Sequence, residues 1–100
     1  MVAALAGPQI EASYYRSSAG AEIDLLLRWP DGRTCAIEVK RSLAPKLERG
    51  FNSACEHVQP AARFVVYPGS ERYRLQADVE AISLAELAAL INPLAPRAPA

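Results

Sequence analysis

Two stretches of the chain concentrate apolar residues in a way that is typical of neighbouring β-strands. They are residues 22–29, which read E-I-D-L-L-L-R-W, and residues 33–40, which read R-T-C-A-I-E-V-K. Between them stand Pro30, Asp31 and Gly32. Proline presets φ at the first loop position and glycine accepts the left-handed conformation at the last, so these residues predict a three-residue hairpin loop with a bulge at the glycine.

The length of this loop decides which side chains meet across the hairpin. With three loop residues, counting back from the turn places Asp24 opposite Glu38, so that both carboxylates and Lys40 converge on one face. A two-residue loop would instead place Asp24 opposite Val39 and turn its carboxylate to the other side. The composition of the turn favours the first register.

The converging register leaves the other face of the hairpin apolar, and such a face must be covered. This face comprises Ile23, Leu25, Leu27, Cys35, Ile37 and Val39. We expect a helix over residues 46–58 to cover it, with Pro45 at the helix start. Gly50 weakens this helix, and close approach to the sheet is the expected reason for it. The helix presents one apolar stripe: Leu47, Phe51, Ala54, Cys55 and Val58.

The remaining pattern predicts a single α/β domain with a mixed central sheet flanked by helices. We expect further strands over residues 12–16, 62–67, 73–75 and 79–82, with the second of these parallel to the strand before the helix. Ser83 and Glu86 form a capping-box pattern that opens a last helix. Residues 1–6 read as the last turn of a helix. The domain is assigned to residues 1–92, and residues 93–100 are expected to be a disordered tail.

Composition limits the classes of protein that fit. The chain has 100 residues, and its formal net charge of zero argues against a general nucleic-acid coat protein. No apolar run approaches the ~20 residues of a membrane span, and residues 1–6 are too short for a secretory core. We expect Cys35 and Cys55 to be reduced and buried, which predicts a cytoplasmic protein. One histidine and two cysteines rule out a structural zinc cluster.

The hairpin also carries candidate chemistry. Asp24, Glu38 and the main-chain carbonyl of Val39 offer hard oxygen ligands for Mg²⁺ or Mn²⁺, and Glu22 is a further possible ligand on the Asp24 face. A divalent ion activates water and stabilises charge on a phosphate. Lys40 can orient that water or neutralise the phosphate oxygen. A structural salt bridge at the edge of a sheet is the alternative interpretation of these charges.

Residues 14–90, and most closely residues 20–42, resemble the PD-(D/E)xK nuclease-like superfamily, which has the restriction-endonuclease-like fold. Three stretches are similar to one uncharacterised family, domain of unknown function 4143, found behind an AAA-type P-loop ATPase module in many prokaryotic proteins. These stretches are A-E-I-D-L-L-L, A-I-E-V-K-R-S-L-A-P-K-L-E-R-G-F and R-F-V-V-Y-P-G. The resemblance implies a cytoplasmic protein with an αβββαβ core, metal ligands at Asp24 and Glu38, and Lys40 as the catalytic lysine.

The chain departs from the superfamily pattern in two respects. It has no G-x-x-x-x-G-K-[ST] phosphate loop, so the ATPase module is absent and becomes a candidate partner, as does a second copy of the chain. The acidic residue that the superfamily usually takes from a helix before the first strand is missing, and Glu11 and Glu22 are the nearest substitutes.

Basic residues beside the site allow a nucleic-acid partner. They are Arg41, Lys46, Arg49 and Arg63. An ordinary solvated helix face is the commoner explanation for such residues. The sequence therefore supports two functions: a Mg²⁺-dependent nuclease-like domain, or a non-catalytic domain of that fold that binds DNA or a protein partner.

Overall fold

The computed structural model describes residues 10–91, which form a six-stranded mixed sheet with two helices. The order of strands across the sheet is β1-β2-β3-β4-β6-β5. The elements are β1 (Glu11–Arg16), β2 (Glu22–Arg28), β3 (Thr34–Val39), α1 (Arg49–Val58), β4 (Ala62–Val66), β5 (Tyr73–Gln76), β6 (Val79–Ile82) and α2 (Leu84–Ile91). This confirms the mixed α/β class. The helix predicted over residues 1–6 and the tail predicted over residues 93–100 lie outside the described residues.

The hairpin between β2 and β3 has the predicted turn. The N–H group of Trp29 donates to the carbonyl of Arg33 at 2.9 Å, and that of Gly32 donates to the carbonyl of Trp29 at 2.9 Å. Gly32 has a φ of 92°, as a three-residue loop of this kind requires. The cross-strand partners run from Arg28 opposite Thr34 back to Leu25 opposite Ile37, which confirms the register.

A β-bulge in β2 changes which side chains share a face. Between successive partners, β1 advances from position 13 to 15 while β2 retreats from 26 to 23, so Asp24 and Leu25 together oppose Tyr14. Beyond the bulge, Ile23 packs in the same cluster as Leu26 and not with Leu25. The prediction that Ile23 shares the face of Leu25 is therefore wrong, because the extra residue shifts the alternation by one.

The two helices cover opposite faces of the sheet, since alternate residues of β3 belong to different clusters. Leu87 and Ile91 of α2 pack on one face of the sheet, in a cluster with Leu27, Cys35, Ile37, Val66 and Ile82. Phe51, Ala54 and Cys55 of α1 pack on the other face, in a cluster with Ala21, Ile23, Leu26, Ala36, Val65 and Val79.

The prediction that the first helix covers Leu25 and Leu27 is wrong, because α2 covers them and α1 lies on the other side. Central strands buried on both faces are apolar on both, so their pattern does not say which helix packs where. Val39, also assigned to the covered face, is 55% exposed.

Helix α1 begins at Arg49, three residues later than predicted, after Glu48 in an extended conformation. Pro45 is buried in the preceding loop and does not open the helix. Gly50 has the expected close approach: a Cβ atom there would lie 2.6 Å from the carbonyl oxygen of Gly20, in the turn before β2. The start of α1 therefore packs directly on the backbone that leads into β2.

The second half of the domain follows the prediction more closely. Strands β3 and β4 are parallel, and α1 connects them. The Ser83 hydroxyl accepts a hydrogen bond from the Glu86 N–H at 3.2 Å and caps α2. Both cysteines are buried free thiols, as expected. Within residues 10–91 no helix combines the length and apolar character needed to cross a bilayer.

Candidate functional site

The open end of the hairpin, opposite its turn, is where backbone pairing between β2 and β3 stops. The last pair is Leu25 with Ile37, and Ile37 directly precedes Glu38. Counting from the turn in steps of two, a regular ladder would make Ile23 the hydrogen-bonded partner of Val39. The bulge leaves Ile23 paired with β1, and the N–H of Val39 donates to Asp24 Oδ2 at 3.0 Å. A carboxylate thus takes the place of a main-chain acceptor.

Glu38 lies at this opening with only 7% of its surface exposed. The pKa of its carboxyl is raised to about 8. Burial is the largest cause, a hydrogen bond with the Asp24 carboxyl and the charge of Asp24 add to it, and the charge of Lys40 opposes it. Glu38 therefore holds its proton at neutral pH. The predicted convergence of Asp24 and Glu38 is present, and at the bulge the Asp24 carboxylate also accepts the Val39 N–H.

Lys40 is held at both its backbone and its side chain. Its N–H donates to the carbonyl of Val66 on β4 at 2.8 Å. Its Nζ lies 2.9 Å from Glu48 Oε1 and 3.9 Å from Glu38 Oε2. The hydrogen bond to Glu48 is the main reason that the pKa of Lys40 is raised. The ammonium is therefore charged and lies beside the carboxyl pair, as the sequence predicted.

Glu48 is a member of this cluster that the sequence analysis missed. It follows Lys40 by eight positions through an irregular loop, and no helical or strand period links two residues across such a loop. It was also expected to lie inside the helix, where its carboxylate would have pointed along the solvated face. The late start of α1 frees its side chain to reach Lys40.

The other predicted acidic residues do not join the site. Glu22 forms an exposed ion pair with Arg16 across β1, with Arg16 Nε 3.3 Å from Glu22 Oε1. Glu11 is opposite Arg28, at the turn end of the hairpin. Neither therefore belongs to the charge cluster around Glu38, which comprises Asp24, Lys40 and Glu48.

The predicted phosphate-contact residues are not part of the charge cluster at the opening. Arg41, Lys46 and Arg49 are exposed on the loop after β3 and at the start of α1. Among residues 10–91 none of these three forms an ion pair with a carboxylate. Arg63 is opposite Ala36, before the level of Glu38, and so lies farther from the open end.

The donor set decides which metal could bind. Within the described part of the chain, no three histidine, cysteine or carboxylate side chains meet in a metal-binding arrangement. Asp24 and Glu38 supply two carboxylates, and the carbonyl of Val39 points to the same side as its N–H, towards Asp24. Mg²⁺ is commonly held by one or two carboxylates and keeps several waters, so this oxygen set fits Mg²⁺ or Mn²⁺.

Fold and site together define a small mixed α/β domain with a carboxyl pair and a lysine at its strand ends. The family model described as Domain of unknown function (DUF4143) matches residues 2–87. The chain belongs to this family.

Two curated proteins are similar to the chain over 69 residues, each at 36% identity. One is an uncharacterised protein of Mycobacterium bovis and the other an uncharacterised protein of Mycobacterium tuberculosis. In each case the match covers 69% of this chain and 15% of the relative, so the chain corresponds to a small part of these longer proteins. No solved structure matches the chain significantly.

Proposed function

We propose that this domain is a PD-(D/E)xK nuclease-like domain that hydrolyses phosphodiester bonds in nucleic acid with a bound Mg²⁺ or Mn²⁺. In this proposal Asp24, Glu38 and the Val39 carbonyl hold the metal, and Lys40 is the catalytic lysine. Arg41, Lys46 and Arg49 contact the phosphate backbone of the nucleic acid.

The observation that carries the proposal is the meeting of Asp24 with the buried carboxyl of Glu38, beside the charged Lys40. Glu38 is buried whereas Asp24 is exposed, and burial of Glu38, its hydrogen bond with Asp24 and the charge of Asp24 raise the pKa of Glu38 to about 8. The nearest cation is Lys40, whose Nζ lies 3.9 Å from Glu38 and only 2.9 Å from Glu48. A divalent ion is the ligand that would neutralise both carboxylates at once.

Each residue then has a definite task. A bound divalent ion supplies activation of a coordinated water and neutralises charge that grows on the phosphate. The Val39 N–H donates to Asp24 Oδ2 and so orients this carboxylate at the open end of the hairpin. Glu38 releases its proton on binding the metal. The ammonium of Lys40 donates a hydrogen bond to a phosphate oxygen or to the attacking water.

Plasmid nicking combined with metal titration tests the proposal. We expect Mn²⁺ or Mg²⁺ to raise the midpoint of thermal unfolding and to support nicking of supercoiled DNA or cleavage of labelled RNA. Lys40→Ala should reduce the cleavage rate by about 10²- to 10³-fold, as loss of one charge-stabilising donor does. Metal binding should persist in this variant, because the lysine is not a metal ligand.

Arg74→Ala on the edge strand β5 is the control, since it removes one basic side chain away from the open end of the hairpin. It should cleave at the wild-type rate. A wild-type protein that shows neither a metal-dependent shift in unfolding nor cleavage of any nucleic acid would contradict the nuclease proposal.

A non-catalytic binding domain is the second candidate, and one observation favours it. Asp24 already has a structural task, because it replaces the main-chain acceptor for Val39. If Asp24→Ala strongly destabilises the domain and metal has no effect, the charges serve the fold. The domain would then bind DNA, an ATPase module or a second copy of itself. These partners and a cytoplasmic location remain predictions.

A further inference from the structure

We propose that Glu48 is a positioning residue that fixes the ammonium group of Lys40 beside Asp24 and Glu38. This inference rests on the nuclease function proposed above. It adds Glu48 to the three residues of the proposed site, Asp24, Glu38 and Lys40. Glu48 stands on the loop before α1, whereas the three other residues belong to the β2–β3 hairpin or its immediate continuation.

The distances show which group holds the lysine. Lys40 Nζ donates a hydrogen bond to Glu48 Oε1 at 2.9 Å, whereas Glu38 Oε2 is 3.9 Å away and beyond hydrogen-bonding distance. The side chain of Lys40 is 20% exposed and that of Glu48 is 74% exposed. The ammonium therefore lies beside the buried carboxyl of Glu38 and is hydrogen-bonded to the solvent-exposed carboxylate of Glu48.

The position of Glu48 at the start of α1 supports this role independently. An N-cap side chain normally accepts a hydrogen bond from an N–H group of the first helical turn. Glu48 occupies the N-cap position but makes no such bond, and its carboxylate reaches Lys40 instead. Gly50 fixes the start of the helix against Gly20, so the backbone of Glu48 is held in place relative to β2.

The ammonium group of a lysine is carried on a flexible stem of four carbons, so the side chain does not fix its position without a partner. A catalytic ammonium that is displaced by about 1 Å can cost on the order of 10²-fold in rate. Glu48 restricts this freedom while its own carboxylate stays in water, so the arrangement avoids burying a second charge. The consequence is a lysine whose ammonium is in place before a phosphate arrives.

Cleavage kinetics of Glu48→Ala test the proposal, because alanine removes the acceptor for Lys40 Nζ altogether. We expect kcat for plasmid or oligonucleotide cleavage with Mn²⁺ to fall about 10- to 100-fold, while KM for the nucleic acid changes by less than about threefold. The affinity for Mn²⁺ and the midpoint of thermal unfolding should stay at wild-type values. Glu56→Ala, which removes an exposed carboxylate from α1, is the control and should cleave normally. Cleavage by Glu48→Ala within about twofold of wild type overturns the proposal.

A second measurement keeps the inference testable if the wild-type protein cleaves nothing. The ¹H–¹⁵N cross-peak of the Lys40 ammonium should be visible at low temperature, because a hydrogen-bonded ammonium exchanges slowly with water. It should vanish in Glu48→Ala and persist in Glu56→Ala. A cross-peak that survives in Glu48→Ala refutes the positioning role. If the wild-type protein cleaves no nucleic acid but the cross-peak behaves as expected, the nuclease function is refuted. The contact by which Glu48 positions Lys40 is then still supported.

Discussion

The two ends of the β2–β3 hairpin each use an aspartate to accept a main-chain hydrogen bond, with opposite electrostatic results. At the turn, Asp31 Oδ1 accepts from the N–H of Arg33 at 3.0 Å. At the open end, Asp24 Oδ2 accepts from the N–H of Val39 at the same distance. Asp31 lies in solvent beside the Arg33 guanidinium, and its hydrogen bond to the Arg33 N–H lowers its pKa.

Asp24 instead meets the buried Glu38, and the pKa of the Glu38 carboxyl is raised to about 8. The hydrogen bond is the same in kind at both ends. Burial and the neighbouring charge decide whether an aspartate only stabilises a turn or takes part in a site that can bind a cation. Substitutions at the two ends can therefore separate structure from function.

The largest expected difference is in metal-dependent cleavage. Asp24→Asn should lower the cleavage rate about 10²- to 10³-fold and weaken Mn²⁺ binding, because an amide keeps the hydrogen bond to Val39 but carries no charge. Asp31→Asn makes the same chemical change at the turn and should leave both quantities unaltered. Isothermal titration with Mn²⁺ and a plasmid-nicking assay measure them. Equal effects at the two ends would show that the metal site is not at the open end.

The pH dependence of stability comes next in size. The pKa of Glu38 in the folded protein is raised from 4.5 to about 8, so the folded state binds its proton more tightly than the unfolded chain does. The contribution of this group to stability is therefore complete below pH about 4.5 and is lost as pH rises through about 8. Without divalent ions, we expect the free energy of unfolding to be lower at pH about 9 than at pH about 5 by on the order of 3 kcal/mol. Urea denaturation at the two pH values measures this difference.

Glu38→Gln should flatten this dependence, because the amide mimics the protonated carboxyl at every pH. The control is Glu80→Gln: Arg72 lowers the pKa of Glu80, so its contribution is already complete in this pH range and is lost only on acidification. A wild-type protein whose stability does not fall between these pH values would show that Glu38 is ionised in the folded state.

The smallest expected effect concerns the backbone contact that holds the open end in place. Gly50→Ala should cost about 1–3 kcal/mol, because the new Cβ would lie 2.6 Å from the Gly20 carbonyl oxygen. In an ordinary helix position the same change stabilises by up to about 1 kcal/mol. Ser53→Ala in the same helix should change stability little. Urea denaturation measures both, and a stabilised Gly50→Ala would show that α1 does not pack closely on the turn before β2.

The sequence alone predicted much of the hairpin because its turn is a local structure. Pro30, Asp31 and Gly32 determine the loop length, and loop length determines register. The register brought Asp24 and Glu38 to the same level, and the short spacing from Glu38 to Lys40 placed the lysine beside them. The parallel partner strand β4 and the cap at Ser83 also followed from local signals.

The tertiary structure decided the features that depend on contacts between distant segments. The bulge opposite Tyr14 arises from pairing with β1, and it moved Ile23 to the face that α1 covers. Which helix covers which face was not determined by the pattern, because the inner strands are apolar on both sides. Glu48 reaches Lys40 only because α1 begins late and packs on Gly20. The sequence by itself determined which residues carry the candidate chemistry, and only the folded chain decided how they are held, because a bulge and a helix start are set by packing and not by local propensity.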